Sequence, residues 1–405
     1  MNPSAFRLLA IALPGLLLSP VHAADWLQFR GPSGAGVADA SETTVPVTFS
    51  PASVAWKVPL PGRGLSSPIV IADHVIVTCS SGPDQDRLHV FAIHAATGKV
   101  RWERRFRATG RTMTHSKTNV AAPTPCSDGS LIFALFSTND LFCLDLEGNL
   151  RWLRGLTYDY PNASNSLGLA SSPLIADNTL VVQSENDSES FVAGLSPGDG
   201  SNRWFKPRRK AANWTSALTL GGEVPTVALQ STSGILGIAP STGSELWEYR
   251  DGASTIPSAA LEGETLYVPS FGMTALRSEG ATVKKIWRNE QARPKTSSPV
   301  AWKGQIYFPE GGVVTALQAD TGERLWKTRV QGDFSASPVI ANGHLYLFSE
   351  SGTAFVIPVG PDVKEPSVAG QMELGESVLC TPAISGGAIY VRSDAHLWKL
   401  ATPPS

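Results

Sequence analysis

The chain carries no excess of either charge. Its 33 Lys and Arg stand against 35 Asp and Glu over 405 residues, so no global field draws it to nucleic acid. Cysteine is scarce: Cys79, Cys126, Cys143 and Cys380 include no vicinal pair and no metal-ligand spacing, and their β-like surroundings suit small core residues. Beyond the first two dozen residues no apolar run reaches the length that spans a bilayer, which leaves no transmembrane segment in the mature chain. Helical periodicity is missing, and no Ser-His-Asp, paired-carboxylate or phosphate-loop arrangement can be recognised.

What is present begins with a leader. Arg7 precedes an apolar stretch from Leu8 to Leu18, and Val21-His22-Ala23 is a small-residue cleavage site. Residues 1–23 therefore read as a signal peptide and 24–52 as an N-terminal arm. The product is expected to be exported, periplasmic or secreted. No cysteine stands at the cleavage point to carry a lipid.

From residue 53 a repeat takes over. Trp56, Trp102, Trp152, Trp204, Trp247, Trp287 and Trp326 recur at intervals of about forty to fifty residues, a period that signals one supersecondary unit used many times. The clearest copies are Ala92-Ile-His-Ala-Ala-Thr-Gly-Lys-Val-Arg-Trp102 and Ala316-Leu-Gln-Ala-Asp-Thr-Gly-Glu-Arg-Leu-Trp326. Between Ser297 and Trp326, turns at Lys303-Gly304, Glu310-Gly311 and Asp320-Thr-Gly322 separate four short runs rich in β-branched and aromatic residues. That is one antiparallel four-stranded blade, unable to bury both faces alone. Eight opening phrases occur: Ser67-Pro68, Ala122-Pro123, Ser172-Pro173, Ser216-Ala217, Pro257-Ser258, Ser298-Pro299, Ser337-Pro338 and Thr381-Pro382. The last unit stops after three strands, and the run around Trp56 has no opening phrase. The reading is all-β: a single eight-bladed β-propeller over 53–405, its last blade closed by the N-terminal strand. The tryptophans are structural, packed between blades.

The repeat phrase and the strand plan resemble the PQQ-type propeller repeat, shared by eight-bladed quinoprotein alcohol and glucose dehydrogenases and by BamB-like envelope proteins. The opening Asp25-Trp-Leu-Gln-Phe-Arg-Gly-Pro-Ser33 is similar to the mature start of exported members. The resemblance implies either of two activities. The dehydrogenases carry a Cys-Cys pair beside the quinone, a calcium site of Glu, Asn and Asp, and a catalytic Asp, and none of these maps onto this chain. No cofactor is expected, with PQQ and calcium as the alternative, and no metal-binding or catalytic residue is assigned.

Function is then sought where the repeat stretches, because propellers bind at a face through loops. Two consecutive connections run to about twenty residues. Glu103 to Ala121 holds Arg104, Arg105, Arg107, Arg111, His115, Lys117 and Asn119; Leu153 to Ala170 holds Arg154, Tyr158, Asp159, Tyr160, Asn162 and Asn165. The next adds Arg208 and Trp214. Cationic, amide and tyrosine groups side by side suit an envelope protein or peptide, or an anionic or carbohydrate ligand. The expected function is a non-catalytic binding or scaffold module of the cell envelope, with BamB-like outer-membrane protein assembly as the implied role. The alternatives are a quinone-dependent dehydrogenase and an unrecognised hydrolase or lectin.

Overall fold

The computed structural model describes residues 25–163 and 167–403, so the leader and Asn165 lie outside the described residues. Thirty-two strands form eight antiparallel sheets of four. Blades one to seven span 69–107, 126–155, 174–208, 218–249, 260–289, 300–329 and 339–373. Blade eight holds three strands from 383–401 and takes its fourth from the far end of the chain, where Val54–Pro59 pairs antiparallel with His396–Ala401. The eight-bladed ring and its N-terminal closing strand are as the repeat predicted. The apolar core is a series of seams between neighbouring sheets. Ile69, Leu88 and Val90 of blade one, for example, meet Ile132, Ala134 and Phe142 of blade two.

The repeat phrase has a mechanical explanation. Within a blade, each repeat tryptophan (Trp102, Trp152, Trp204, Trp247, Trp287 and Trp326) sits opposite a small residue: Ala92, Cys143, Gly194, Gly237, Ala275 and Ala316 in turn. A register shift directly beside that pair, as between Ala92 and Ile93, turns the ring toward the next blade. There it lies on the glycine of the neighbour's third turn. A Cβ on Gly98 would fall 2.9 Å from Trp56, on Gly148 2.6 Å from Trp102, on Gly200 2.8 Å from Trp152, and on Gly322 2.6 Å from Trp287. The indole N–H donates to a carbonyl of the same turn, at 2.7 Å from Trp102 to Leu146 and 2.8 Å from Trp152 to Pro197.

The exceptions follow the same logic. Blade five replaces the turn with Gly280, where an added Cβ would meet nothing within 4 Å, and the Trp247 indole N–H has no partner among the described residues. Blade seven has a long connection in place of the turn, and Trp326 is likewise unpartnered. Blade seven itself lacks both the tryptophan and the register shift. Its successor, blade eight, is the one whose third and fourth strands are joined by no turn at all.

That seam is fastened electrostatically. Lys57 on the closing strand pairs with Glu376 at 2.7 Å, and Glu376 also accepts from Ser393 and His396. Burial would raise its pKa, yet these hydrogen bonds outweigh burial and hold it at about 2. A carboxylate depressed in the folded state stabilises it above the unfolded value of 4.5 and loses that contribution as pH falls toward 2. Limited proteolysis across this window should release strand 54–59 in the wild type. Glu376→Gln should flatten the response, and strand protection that stays constant down to pH 2 would contradict the assignment.

The cysteines are buried and free among the described residues. Cys126 and Cys143 flank Phe133 on opposite strands. Two strand spacings, roughly 9–10 Å, separate them, beyond disulfide reach.

Candidate binding site on the ring axis

The innermost strands build the site. At the start of each, a backbone N–H donates to the hydroxyl of the next blade's equivalent residue: Ser67 to Thr124 at 2.9 Å, Thr124 to Ser172 at 3.0 Å, and Ser172 to Ser216 at 2.9 Å. The chain continues through Ser258, Ser298 and Ser337 to Thr381, at 3.0 to 3.1 Å. Seven links thus join eight hydroxyls into a collar around the axis. The eighth is open, since the buried Ser67 Oγ has no partner among the described residues. The collar also corrects the repeat alignment, because blade two opens at Thr124-Pro125 and not at Ala122-Pro123. Proline after the hydroxyl is tolerated because this position precedes the sheet ladder.

All eight collar residues line one cavity of about 470 Å³. Its floor is the N-terminal arm, which passes beneath the ring. Trp26 exchanges hydrogen bonds with Val70 of blade one, Ser127 of blade two donates to Leu27, and Gly36 and Ala38 pair with Ile340 of blade seven. Glu42 accepts from Gly386 and Gly387 of blade eight. Phe29 faces the cavity, and the fully buried Arg30 donates to the carbonyls of Ala259 (2.8 Å) and Pro299, each one residue beyond a collar serine. Burial lowers the Arg30 pKa to about 9, so it stays cationic at neutral pH. The phrase Asp25 to Ser33, similar to the mature start of exported members, is thus the stopper of the channel.

The mouth opens on the opposite face, among Leu65, His115, Lys117, Leu167, Trp214 and Ile256. The two long connections do meet there: His115 N–H donates to Leu167 O at 3.0 Å. Trp214 is fixed by its N–H to Gly168 O at 2.9 Å. Lys117 pairs with Glu350 across the ring at 3.0 Å.

The other sequence candidates lie elsewhere. Arg104, Arg105 and Arg107 are on the outer strand Val100–Arg107 and not in a loop. Arg104 donates to Gly148 O at 2.5 Å, while Arg105 and Arg107 pair with Glu103 at 2.7 Å and Asp86 at 2.8 Å. Arg208 likewise ends a strand, paired at 2.7 Å with the buried Glu185. Asn119 is buried, donating to Ser80 Oγ at 3.4 Å. Tyr158 and Asp159 form a helical turn, Leu156–Asp159, with Asp159 paired to Arg154. Tyr160 stacks on Phe205 at 4.8 Å, and Arg111 is exposed. Of the fifteen candidates, three among the described residues, His115, Lys117 and Trp214, line the axial cavity. The collar itself was missed as a site: its Ser-Pro and Thr-Pro phrases were visible, but only as strand starts.

The sequence model described as outer membrane protein assembly factor BamB matches residues 35–187 and 274–357, together more than half the chain. The chain belongs to this BamB family. Among solved structures, BamB from Moraxella catarrhalis superposes with a TM-score of 0.63 at 15% identity, covering 87% of this chain and 98% of that one. A europium-containing methanol dehydrogenase gives 0.70 at 11%, covering 94% and 98%. The quinohemoprotein alcohol dehydrogenase of Comamonas testosteroni gives 0.67 at 10%, covering 94% and 81%. At such identities the likeness to these structures is one of fold. Comparison with curated protein sequences gives no match.

The cavity of this BamB-family propeller can be tested against the dehydrogenases' cofactor. Its lining holds no carboxylate, and its basic side chains, His115 and Lys117, stand at the mouth. No cluster of His, Cys, Asp and Glu suited to a metal ion occurs among the described residues. A quinone held by calcium does not fit this donor set. Cys380 on the wall is a protonated thiol, its pKa pushed up by burial to about 11.

Proposed function

We propose that the chain is an exported envelope binding module of the BamB kind, one that holds a segment of a protein partner at the axial mouth. The collar carries the reading. Each collar hydroxyl between Thr124 and Thr381 accepts a neighbour's N–H, which leaves its own O–H proton free to donate into the cavity. Peptide carbonyls are acceptors of the right kind. A purely hydrocarbon occupant would strand these donors at about 1–3 kcal/mol each. Leu65, Leu167, Ile256 and Trp214 supply apolar contact around the mouth, the usual composition of a recognition pocket. No redox step is assigned, because the lining offers a quinone–calcium pair no ligands.

Ala170 lines the cavity without belonging to the collar, so Ala170→Trp fills the mouth and spares the hydrogen-bonded ring. Photo-crosslinking from position 167 in intact cells should give a discrete protein adduct in the exported fraction. Ala170→Trp should reduce that adduct at least tenfold with an unchanged melting temperature. An adduct of equal yield in the variant, or a chain retained in the cytoplasm, would reject the reading.

A further inference from the structure

A second constellation lies away from the axis, on the blade-one face that packs toward blade eight. Register defines it as a three-by-three lattice. Ser81 stands opposite Arg87, which stands opposite Arg107; Cys79 is opposite His89, then Arg105; Val77 is opposite Phe91, then Glu103. Residues directly opposite share a face, and diagonal neighbours remain within reach of long side chains. Along one diagonal, Ser81 Oγ lies 2.7 Å from His89 Nε2, and His89 Nδ1 lies 2.7 Å from Glu103 Oε1. Arg105 clamps that carboxylate at both oxygens, 2.7 Å each. These bonds, Arg105 first, hold the Glu103 pKa below the usual carboxylate range.

The proton positions follow. An ionised Glu103 can only accept, so Nδ1 of His89 carries a hydrogen. In the neutral ring Nε2 is then the acceptor, and the Ser81 hydroxyl must donate to it. This is the polarity of a serine nucleophile, its base and its orienting carboxylate, a pattern recognised by geometry and not by chain order. His89 is buried, Ser81 is half-buried at the upper end of its strand, and the Gly82-Pro83-Asp84 turn beside it is exposed. Arg87, directly across from Ser81, forms no ion pair among the described residues, unlike Arg105 and Arg107. A Cβ on Gly82 would fall 3.1 Å from Asp86 Oδ1, whose carboxylate is itself paired with Arg107 at 2.8 Å, and 3.6 Å from Arg87 Nε, which places both side chains next to the residue following the serine. Gly82 N–H has no acceptor among the described residues.

We infer that Ser81, His89 and Glu103 form an acyl-transfer site, acting on exposed carboxylic esters, with Arg87 and the Gly82 N–H beside the developing oxyanion. Ser81 Oγ bonds to the ester carbonyl carbon while its proton passes to His89 Nε2, and the carbonyl electron pair moves to oxygen. Collapse breaks the bond to the alkoxy oxygen, which leaves as the alcohol with the proton from His89. Water repeats the sequence on the acyl-serine, giving the acid and restoring Ser81. Glu103 and Arg105 are positioning residues. The inference does not rest on the partner-binding reading, since none of these residues lines the axial cavity.

The test uses the full mature chain. A fluorophosphonate probe should label one serine, which peptide mass spectrometry should place at Ser81, and p-nitrophenyl acetate should give a burst of one acyl group per chain. Ser81→Ala should abolish both without changing the melting temperature, and His89→Gln should slow labelling at least a hundredfold. Should His89→Gln fold poorly, Ser81→Cys supplies the second arm: its thiol should react with iodoacetamide at neutral pH faster than the four buried native cysteines. Labelling no faster than that of Ser81→Ala, or a Ser81→Cys thiol as slow as the native ones, would reduce the triad to a structural hydrogen-bond network.

Discussion

Gly148→Ala should cost about 2–5 kcal/mol, the sum of a left-handed backbone forced on alanine and an overpacked contact. Gly148 has a φ of +80°, and the added methyl would meet the Trp102 ring at 2.6 Å with the indole itself fixed by its bond to Leu146. For a chain of this size that corresponds to a fall of roughly 3–6 °C in melting temperature. Gly280→Ala is the control. Its φ of +61° carries the same backbone penalty, but nothing lies within 4 Å, so its loss should be about 1–2 kcal/mol. Combining Gly148→Ala with Trp102→Leu should cost less than the sum of the single changes, as contacting pairs do. Calorimetry that finds the two glycine variants equal would show that the indole is not what fixes the turn.

The second large effect is expected at Arg30. Its guanidinium reaches carbonyls in blades five and six from a single point beneath the axis. Arg30→Met keeps much of the volume but strands those buried carbonyls, at about 3–5 kcal/mol in total. Arg30→Lys should rescue little, because one ammonium cannot reproduce a planar fork aimed at two acceptors. The loss should appear locally first, as cleavage of the arm between residues 25 and 52 by a dilute protease at temperatures where the blades remain protected. An arm as resistant as in the wild type would mean that Trp26 and Glu42 hold it without the arginine.

The architecture was legible because it rests on local, repeated signals. Thr-Gly turns, tryptophans and Ser-Pro starts each state their role within a dozen residues, and the count of eight with its seam at Trp56 needed nothing more. What the tryptophan rests on was not legible, since Gly148 belongs to the next blade and only the ring brings it to Trp102. The site was harder still. Arg104, Arg105 and Arg107 looked like loop cations because their fourth strand runs past the tryptophan by five residues, longer than in blade six. His115 and Trp214 belong to the stretched connections, and it is that extra length which carries them to the cavity mouth. Phe29 and Arg30 read only as part of a mature-start phrase, because no sequence pattern says that an arm returns to plug a hole made by strands over two hundred residues away. Ser81, His89 and Glu103 carry no signal at all; their diagonal exists only once the strand register is set.

The stopper has a consequence for synthesis. Residues 25–59 leave the ribosome before any complete blade, yet their partners, from Val70 to Leu400, are spread over almost the whole chain. Blades can stack in order as they emerge, while this leading segment cannot complete its contacts until the last strand has been made. The protein therefore has a built-in waiting period, long in sequence separation and correspondingly slow to close. During that interval the outer edge of blade eight and the underside of the channel stand open to any holdase that meets the newborn chain.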